Sequence, residues 1–269
     1  MRQNYTELSK KIRILTLELA HHARTSHTGG ALSMVDLLTV IYGGDIINIS
    51  PSNIDDPQRD RFILSKGHCC AALYSTLALT GFLDPQELKN TYGDNGSIYY
   101  THCSHKVPGV EISTGSLGHG LPVAIGQAIA TKAAKTNANV ICLTGDGELD
   151  EGSNWEAILF AGHHRLANLC LIVDYNKIQS MGNVKDILAL EPLDDKFKHF
   201  NWNVIRIDGH DFEQIENALR NFQAETTKPT VIIADTIKGK GVSFMEGQLL
   251  WHYRNPNDEE LKIAKEELQ

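Results

Sequence analysis

The stretch Asn139-Val140-Ile141-Cys142-Leu143-Thr144-Gly145-Asp146-Gly147-Glu148-Leu149-Asp150-Glu151-Gly152 decides the fold. Its first six residues read as a short buried strand, Gly145-Asp146-Gly147 as a tight turn, and Ser153 to Leu166 as a helix. A second apolar run, Leu169 to Val173, ends in Asp174-Tyr175-Asn176. Two parallel strands joined by a crossover helix bring Asp146 and Asn176 together at the carboxyl edge of one sheet. One carboxylate and one amide oxygen there suit a small hard cation that draws its other ligands from phosphate and water.

Around this core, strands alternate with helices. Ile12, Leu15, Leu19 and Ala23 recur at helical spacing, which predicts an amphipathic first helix ending in a loop, Ser26 to Gly30. Ser33 is a candidate cap for a helix over Met34 to Tyr42. Arg61 to Leu64 reads as a strand running into Ser65-Lys66-Gly67-His68, followed by a helix from Cys69 to Leu79. Leu121 to Lys135 is Ala-rich and helical. Pro192 to Phe200 and Phe212 to Phe222 read as helices, Asn203 to Asp208 and Thr230 to Asp235 as strands. The tail from Asn257 is expected to be helical and peripheral. This order predicts an α/β fold, a mostly parallel sheet with helices on both faces, in one domain spanning residues 1–269.

Composition excludes several classes. A net charge of −8 over 269 residues argues against a nucleic-acid surface built on bulk charge. No apolar run approaches the ~20 residues of a membrane helix, and the N-terminus lacks a signal-peptide pattern. Five cysteines, an odd number without Cys-x-x-Cys, fit buried thiols in a reducing cytoplasm better than a disulfide framework.

Three loops should converge beyond the carboxyl ends of the strands, where ligands bind in open parallel sheets at a reversal of strand order. They are Ser65 to His68, Gly145 to Glu148 and Asp174 to Gln179. The helix after Gly152 points its free N–H groups at the same edge, which favours an anion. A diphosphate held by a magnesium ion satisfies all of these features. Gly-Asp-Gly alone is common in turns; the second strand with its asparagine makes the metal reading. A lone loop histidine is more often solvated than functional, yet His27, His68, His102 and His252 each sit in a Gly-rich or irregular loop. His163, His164 and His199 read as surface or structural residues. Gly239-Lys240-Gly241 lacks Walker spacing, and no Gly-x-Gly-x-x-Gly opens a helix, so a nucleotide or dinucleotide site ranks low. Gly93 to Gly118 is a long loop of the kind that usually carries function.

With these residues assembled, the chain resembles the N-terminal, diphosphate-binding half of a transketolase. The metal motif with Asn176 is similar to the signature of thiamine diphosphate enzymes. More specific to transketolases are Leu64 to His68, Pro108 to Gly118 and Lys238 to Glu246. That resemblance implies thiamine diphosphate with Mg2+ (Ca2+ or Mn2+ substituting) held by Asp146, Asn176 and the carbonyl of Ile178. It implies diphosphate contacts from His68, Gly147 and His252, and a lining of Gly115 and Leu117 around the cofactor rings. His27 and His102 would reach substrate hydroxyls, with His252 near the reacting carbon. Glu151 and Glu156 resemble positions at the contact with the partner domain, Glu151 on the cofactor side. The chain departs from the family at Ser26-His27-Thr28-Gly29 and at Thr101-His102-Cys103, where prolines are usual, so the flanking loops differ in shape.

The resemblance further implies transfer of a two-carbon ketol unit from a ketose, often a sugar phosphate, to an aldose. It also implies a missing pyrimidine-binding domain that supplies a glutamate to the cofactor. The chain therefore reads as a half-enzyme, completed by a C-terminal transketolase subunit in a two-plus-two heterotetramer. The rivals are the alpha subunit of a 2-oxo acid dehydrogenase and a non-catalytic subunit that binds the same cofactor. Histidines 68, 102 and 252 and Pro108 to Gly118 favour the transketolase.

Overall fold

Five apolar runs pair into one sheet because each can bury side chains on two faces. The computed structural model describes residues 4–269. Its strands are β1 (Arg61–Leu64), β2 (Val140–Gly145), β3 (Leu169–Tyr175), β4 (Asn203–Asp208) and β5 (Thr230–Asp235). All pair in parallel, in the order β1-β2-β3-β5-β4. The register sets Gly145 beside Asp174 and Tyr175 beside Asp235. Asp146 and Asn176 thus leave adjacent strands at the same edge.

The helices are α1 (Tyr5–Ala23), α2 (Thr28–Ser33), α3 (Val35–Gly43), α4 (Cys70–Leu79), α5 (Pro85–Thr91), α6 (Gly120–Ala133), α7 (Gly152–His163), α8 (Val184–Ile187), α9 (Leu193–His199), α10 (Phe212–Ala224) and α11 (Asp258–Glu267). Side chains alternate across the sheet with period two. Phe62, Leu64, Ile141, Leu143, Cys170, Ile172 and Ile232 pack with α1, α3, α4 and α10. Ile63, Val140, Cys142, Leu171, Val173 and Ile233 pack with α6, α7 and α9 on the other face. Two covered faces explain why the central strands β2, β3 and β5 read as nearly unbroken apolar runs, while the edge strand β4 leaves Arg206 and Asp208 exposed.

Chain direction explains the sides. The path from β1 through β2 and β3 to β4 advances one way across the sheet, so right-handed crossovers keep α6, α7 and α9 on one face. The step back from β4 to β5 puts α10 on the other. The reversal of strand order therefore lies at β4 and β5, not at the carboxyl ends of β1 to β3 where the three loops meet; that part of the expectation is corrected.

Other differences have local causes. Thr28 to Gly30 is not loop but the start of α2, and the whole helix is buried. A Cβ on Gly29 would stand 3.0 Å from Lys238 Cγ and one on Gly30 3.1 Å from Cys69 Sγ, so close packing overrides the poor helix propensity of glycine. Ser33 does not cap α3. Met34 occupies that position without a side-chain bond, and the Ser33 hydroxyl donates instead to Asp174 at 2.6 Å and to the carbonyl of Gly30. The C-terminal helix is less peripheral than expected. Ala264 and Leu268 join Leu17, Leu32, Met245 and Trp251 in a small third core. α5, unread in the sequence, carries its own start signal: Asp84 accepts from the N–H groups of Gln86 and Glu87, with Pro85 in the first turn. Among the described residues, no helix is long and apolar enough to cross a membrane. All five cysteines are free and buried.

Candidate functional site

Where β1, β2 and β3 end, polar groups replace the apolar run. Asp146 follows β2 directly and is 3 % exposed. One of its carboxylate oxygens accepts from the N–H of Gly147 at 2.7 Å and the other from the N–H of Lys177 at 2.6 Å. This second bond ties the β2 turn to the turn after β3. Burial, reinforced by nearby Asp174, pushes the Asp146 carboxyl up to about 6. Asn176 is also buried, and its Oδ1 accepts from the N–H of Ile178 at 3.2 Å. The Ile178 carbonyl accepts from Lys238 Nζ at 2.8 Å.

The expected ligand set of Asp146, Asn176 and Ile178 therefore gathers at two adjacent strand ends, and it is oxygen throughout. Among the described residues, no group of three His, Cys, Asp or Glu is arranged to hold a metal. A transition-metal centre of that kind has no counterpart here, whereas a hard cation completed by phosphate oxygens and water fits these donors. A cation would also hold the Asp146 carboxyl ionised against the upward push of burial.

A cavity of about 300 Å³ opens above these groups. His27, His68 and His252 line it, as do Leu117, Gly147, Glu151, Asn176, Ile178 and Lys238. The His27 ring centroid lies 4.8 Å from that of His68, 5.0 Å from His252 and 6.4 Å from His102. All four loop histidines singled out in the sequence thus form one cluster. Burial, aided by the neighbouring lysines and histidines, lowers His27 to about 4 and His252 to about 3, and holds His68 well below the usual imidazole range. These rings are neutral at pH 7, able to accept as well as donate.

His102 and Gly115 flank the cavity rather than line it. Gly115 has φ +155°, and a Cβ there would stand 2.6 Å from His102 Cδ2, so only glycine lets that ring sit flat on the loop. The loop is stitched to the β1 end by Thr114, whose hydroxyl donates to the carbonyl of Leu64 at 2.6 Å. Glu156 is exposed on α7, away from the cavity lining, and His163, His164 and His199 are exposed as expected.

Lys66, Asp174 and Glu148 are among the buried charged residues left unassigned in the sequence. Lys66 and Asp174 form an ion pair at 2.6 Å with side chains 3 % and 0 % exposed. Asp174 also accepts from the hydroxyls of Ser33 and Thr236, and Lys66 donates to the carbonyl of Gly30 at 3.0 Å. Each partner holds the other ionised: Lys66 is raised and Asp174 lowered despite burial. Glu148 accepts from the Ser65 hydroxyl and from the N–H of Gly118 at 3.0 Å, joining the Ser65 loop and the long loop ending at Gly118 to the β2 turn. The signal was present: a charged residue at the end of an apolar run must find a partner in the interior.

The chain matches the family model "Transketolase, thiamine diphosphate binding domain" over residues 5–269. It belongs to the transketolase family. Its transketolase relatives include an apulose-4-phosphate transketolase subunit from Actinobacillus succinogenes, 42 % identical, with 99 % of this chain and 97 % of the relative covered. The 6-deoxy-6-sulfo-D-fructose transketolase subunit SqwG of a Clostridium species is also 42 % identical, over 96 % of this chain and 94 % of the relative. The crystal structure of transketolase from Campylobacter jejuni superposes with a TM-score of 0.92 at 35 % identity, covering 98 % of this chain and 42 % of that one. The chain thus corresponds to nearly the whole of single subunits and to about two fifths of a one-chain transketolase. Over residues 5–269 it is the N-terminal, thiamine diphosphate-binding part of a transketolase, matched along nearly its whole length by relatives named as subunits, and the 2-oxo acid dehydrogenase reading is not favoured.

Proposed function

We propose that this chain is a single domain that holds Mg2+ and thiamine diphosphate, and that it transfers a two-carbon ketol unit between sugars only when a second chain completes the site. The observation that carries this reading is that Asp146, Asn176 and Ile178 line the same cavity as His27, His68 and His252, with the His102 ring beside that of His27. Asp146, Asn176 and Ile178 would hold the metal, with Ca2+ or Mn2+ able to substitute. His68, Gly147 and His252 would contact the diphosphate, and Leu117 and Gly115 would border the rings. When bound, the cofactor supplies the carbanion chemistry that no side chain can.

This chain's own groups bind and orient. His27 and His102 would recognise sugar hydroxyls, and the neutral His27 ring can both give and take a proton. His252 would face the reacting carbon. Two relatives named for chemically different ketoses are equally similar to this chain, which supports a division of labour: shared chemistry here, donor selection largely on the partner. A ketose with an anionic terminal group, phosphate or sulfonate, suits both names. The partner would be a C-terminal transketolase subunit with a pyrimidine-binding domain, in a two-plus-two heterotetramer, within a reducing cytoplasm.

The test uses the chain with and without such a partner. Alone it should show no ketol transfer. In the complex, Asp146→Ala should weaken Mg2+-dependent thiamine diphosphate binding by ~10–100-fold, because even residues that only orient a metal's ligands contribute that much. Unchanged affinity by calorimetry would sink the metal assignment.

A further inference from the structure

We infer that Arg13, Asp36 and His210, none of which lines the cavity, form a bracket that places Lys238 in it. Lys238 lies on the segment that leaves β5. Its side chain reaches Ile178 O at 2.8 Å and His252 Nδ1 at 3.0 Å, and the residue is only 2 % exposed. Burying an ammonium there is costly. A segment free to shift would let a four-carbon stem carry its charge out to water. Something must therefore fix the backbone on both sides of Lys238.

Backbone bonds hold part of it, Gly239 N–H on the carbonyl of Gly29 and Gly247 N–H on the carbonyl of Lys238, both at 2.8 Å, and side chains hold the rest, to either side of Lys238. One residue before it, the N–H of Ile237 donates to His210 Nε2 at 2.8 Å. Two residues after it, the carbonyl of Lys240 accepts from Arg13 Nε at 3.0 Å. The two grips are joined through Asp36: Arg13 clasps it with both terminal nitrogens at 2.9 and 2.7 Å, and His210 Nδ1 lies 2.8 Å from the same carboxylate. Because Nε2 accepts, the proton of His210 must sit on Nδ1 and point at Asp36. Flanking bonds hold the histidine's own turn, with its N–H on Asp208 at 2.9 Å and Gly209 N–H on the carbonyl of Asp235 at 2.8 Å. Packing of α1 against α3 would account for the Arg13–Asp36 pair. It does not account for His210 and Arg13 gripping the four-residue segment Ile237 to Lys240 at both ends, around Lys238. The three are positioning residues. That Lys238 there meets an anionic diphosphate oxygen rests on the reading proposed above; its placement does not.

The experiment compares wild type, His210→Ala and His210→Gln in the full chain. A glutamine can accept from Ile237 and donate to Asp36 as the histidine does. In the cofactor-free chain, limiting acetylation read by mass spectrometry reports the accessibility of Lys238, and hydrogen exchange reports the Ile237 amide. His210→Ala should raise both by about 5–10-fold, the worth of one lost hydrogen bond, and His210→Gln should restore them. In the complex with its partner, cofactor affinity should fall by a similar factor with alanine and recover with glutamine. If His210→Ala lowers the melting temperature yet leaves Lys238 acetylation and Ile237 exchange unchanged, the bracket is only structural and the inference fails. If glutamine does not restore Lys238 protection in a folded chain, it fails too. Absence of cofactor binding in wild type would instead overturn the function, with the acetylation arm still deciding the bracket.

Discussion

The two ends of the sheet are built on opposite terms. At the carboxyl ends of β1, β2 and β3, charges are buried and linked: Lys66 with Asp174, Glu148 with Ser65, Asp146 with the N–H groups of two turns. At the amino ends, strands begin with backbone bonds such as Val140 N–H to Asn168 O at 2.8 Å and Asn203 N–H to Pro229 O at 2.9 Å. Thr227 and Lys228 there are exposed, and Glu225 answers only its own turn. Arg59 and Asp60, just before β1, are instead buried, Asp60 accepting from the N–H groups of Asn48 and Asn139 and Arg59 pairing with Glu111. Both ends close the same strands and both bury charge, yet at the carboxyl end the buried charges Lys66, Asp146 and Glu148 border a cavity, at a cost in desolvation. Such a cost has no return in stability alone, since apolar residues of similar volume would often serve as well. It marks the end where a charged ligand is expected.

That contrast can be broken, beginning with its largest effect. Lys66→Met should cost about 3–5 kcal/mol in denaturant unfolding, the usual penalty for stranding one member of a buried pair. Asp174 would keep only its hydroxyl partners, Ser33 and Thr236. A loss below ~1 kcal/mol would mean that water already reaches the pair.

The next effect is one of pH. His27, lowered from 6.5 to about 4, stays neutral in the fold while the unfolded chain takes up its proton below 6.5. The unfolded state then binds more protons, so stability present at neutral pH declines as pH falls from 6.5 towards 4. His252, lowered to about 3, steepens the same decline. In His27→Asn, a residue that tolerates the φ of +70° at this position, urea midpoints measured across that window should fall less steeply. Parallel slopes in the two proteins would show that the ring is already solvated.

The smallest effect belongs to the other end. Thr227→Ala should change unfolding free energy by no more than about 0.5 kcal/mol, as expected for an exposed site. It should also leave cofactor affinity in the complex unaltered. A larger change would erase the distinction between the two ends.

Much of this was legible in the chain itself, because strand periodicity and the offset from Asp146 to Asn176 follow from local chemistry. Apolar runs between helical segments, unbroken in the central strands, fix a parallel sheet covered on both faces, and two consecutive parallel strands put their last residues side by side. The four loop histidines, too, were marked by their Gly-rich settings. What stayed hidden depended on partners far apart in sequence. The Gly29-Gly30 pair forms helix because Lys238 and Cys69 close over it, and Ser33 abandons its capping role for Asp174, 141 residues away. The strand order, with its reversal at β4 and β5, leaves no local trace, since either order buries the same apolar faces. Sequence set which side chains could carry charge and where strands end. Only the packed structure decided which charges share the interior, because desolvation and pairing depend on distances that no spacing along the chain encodes.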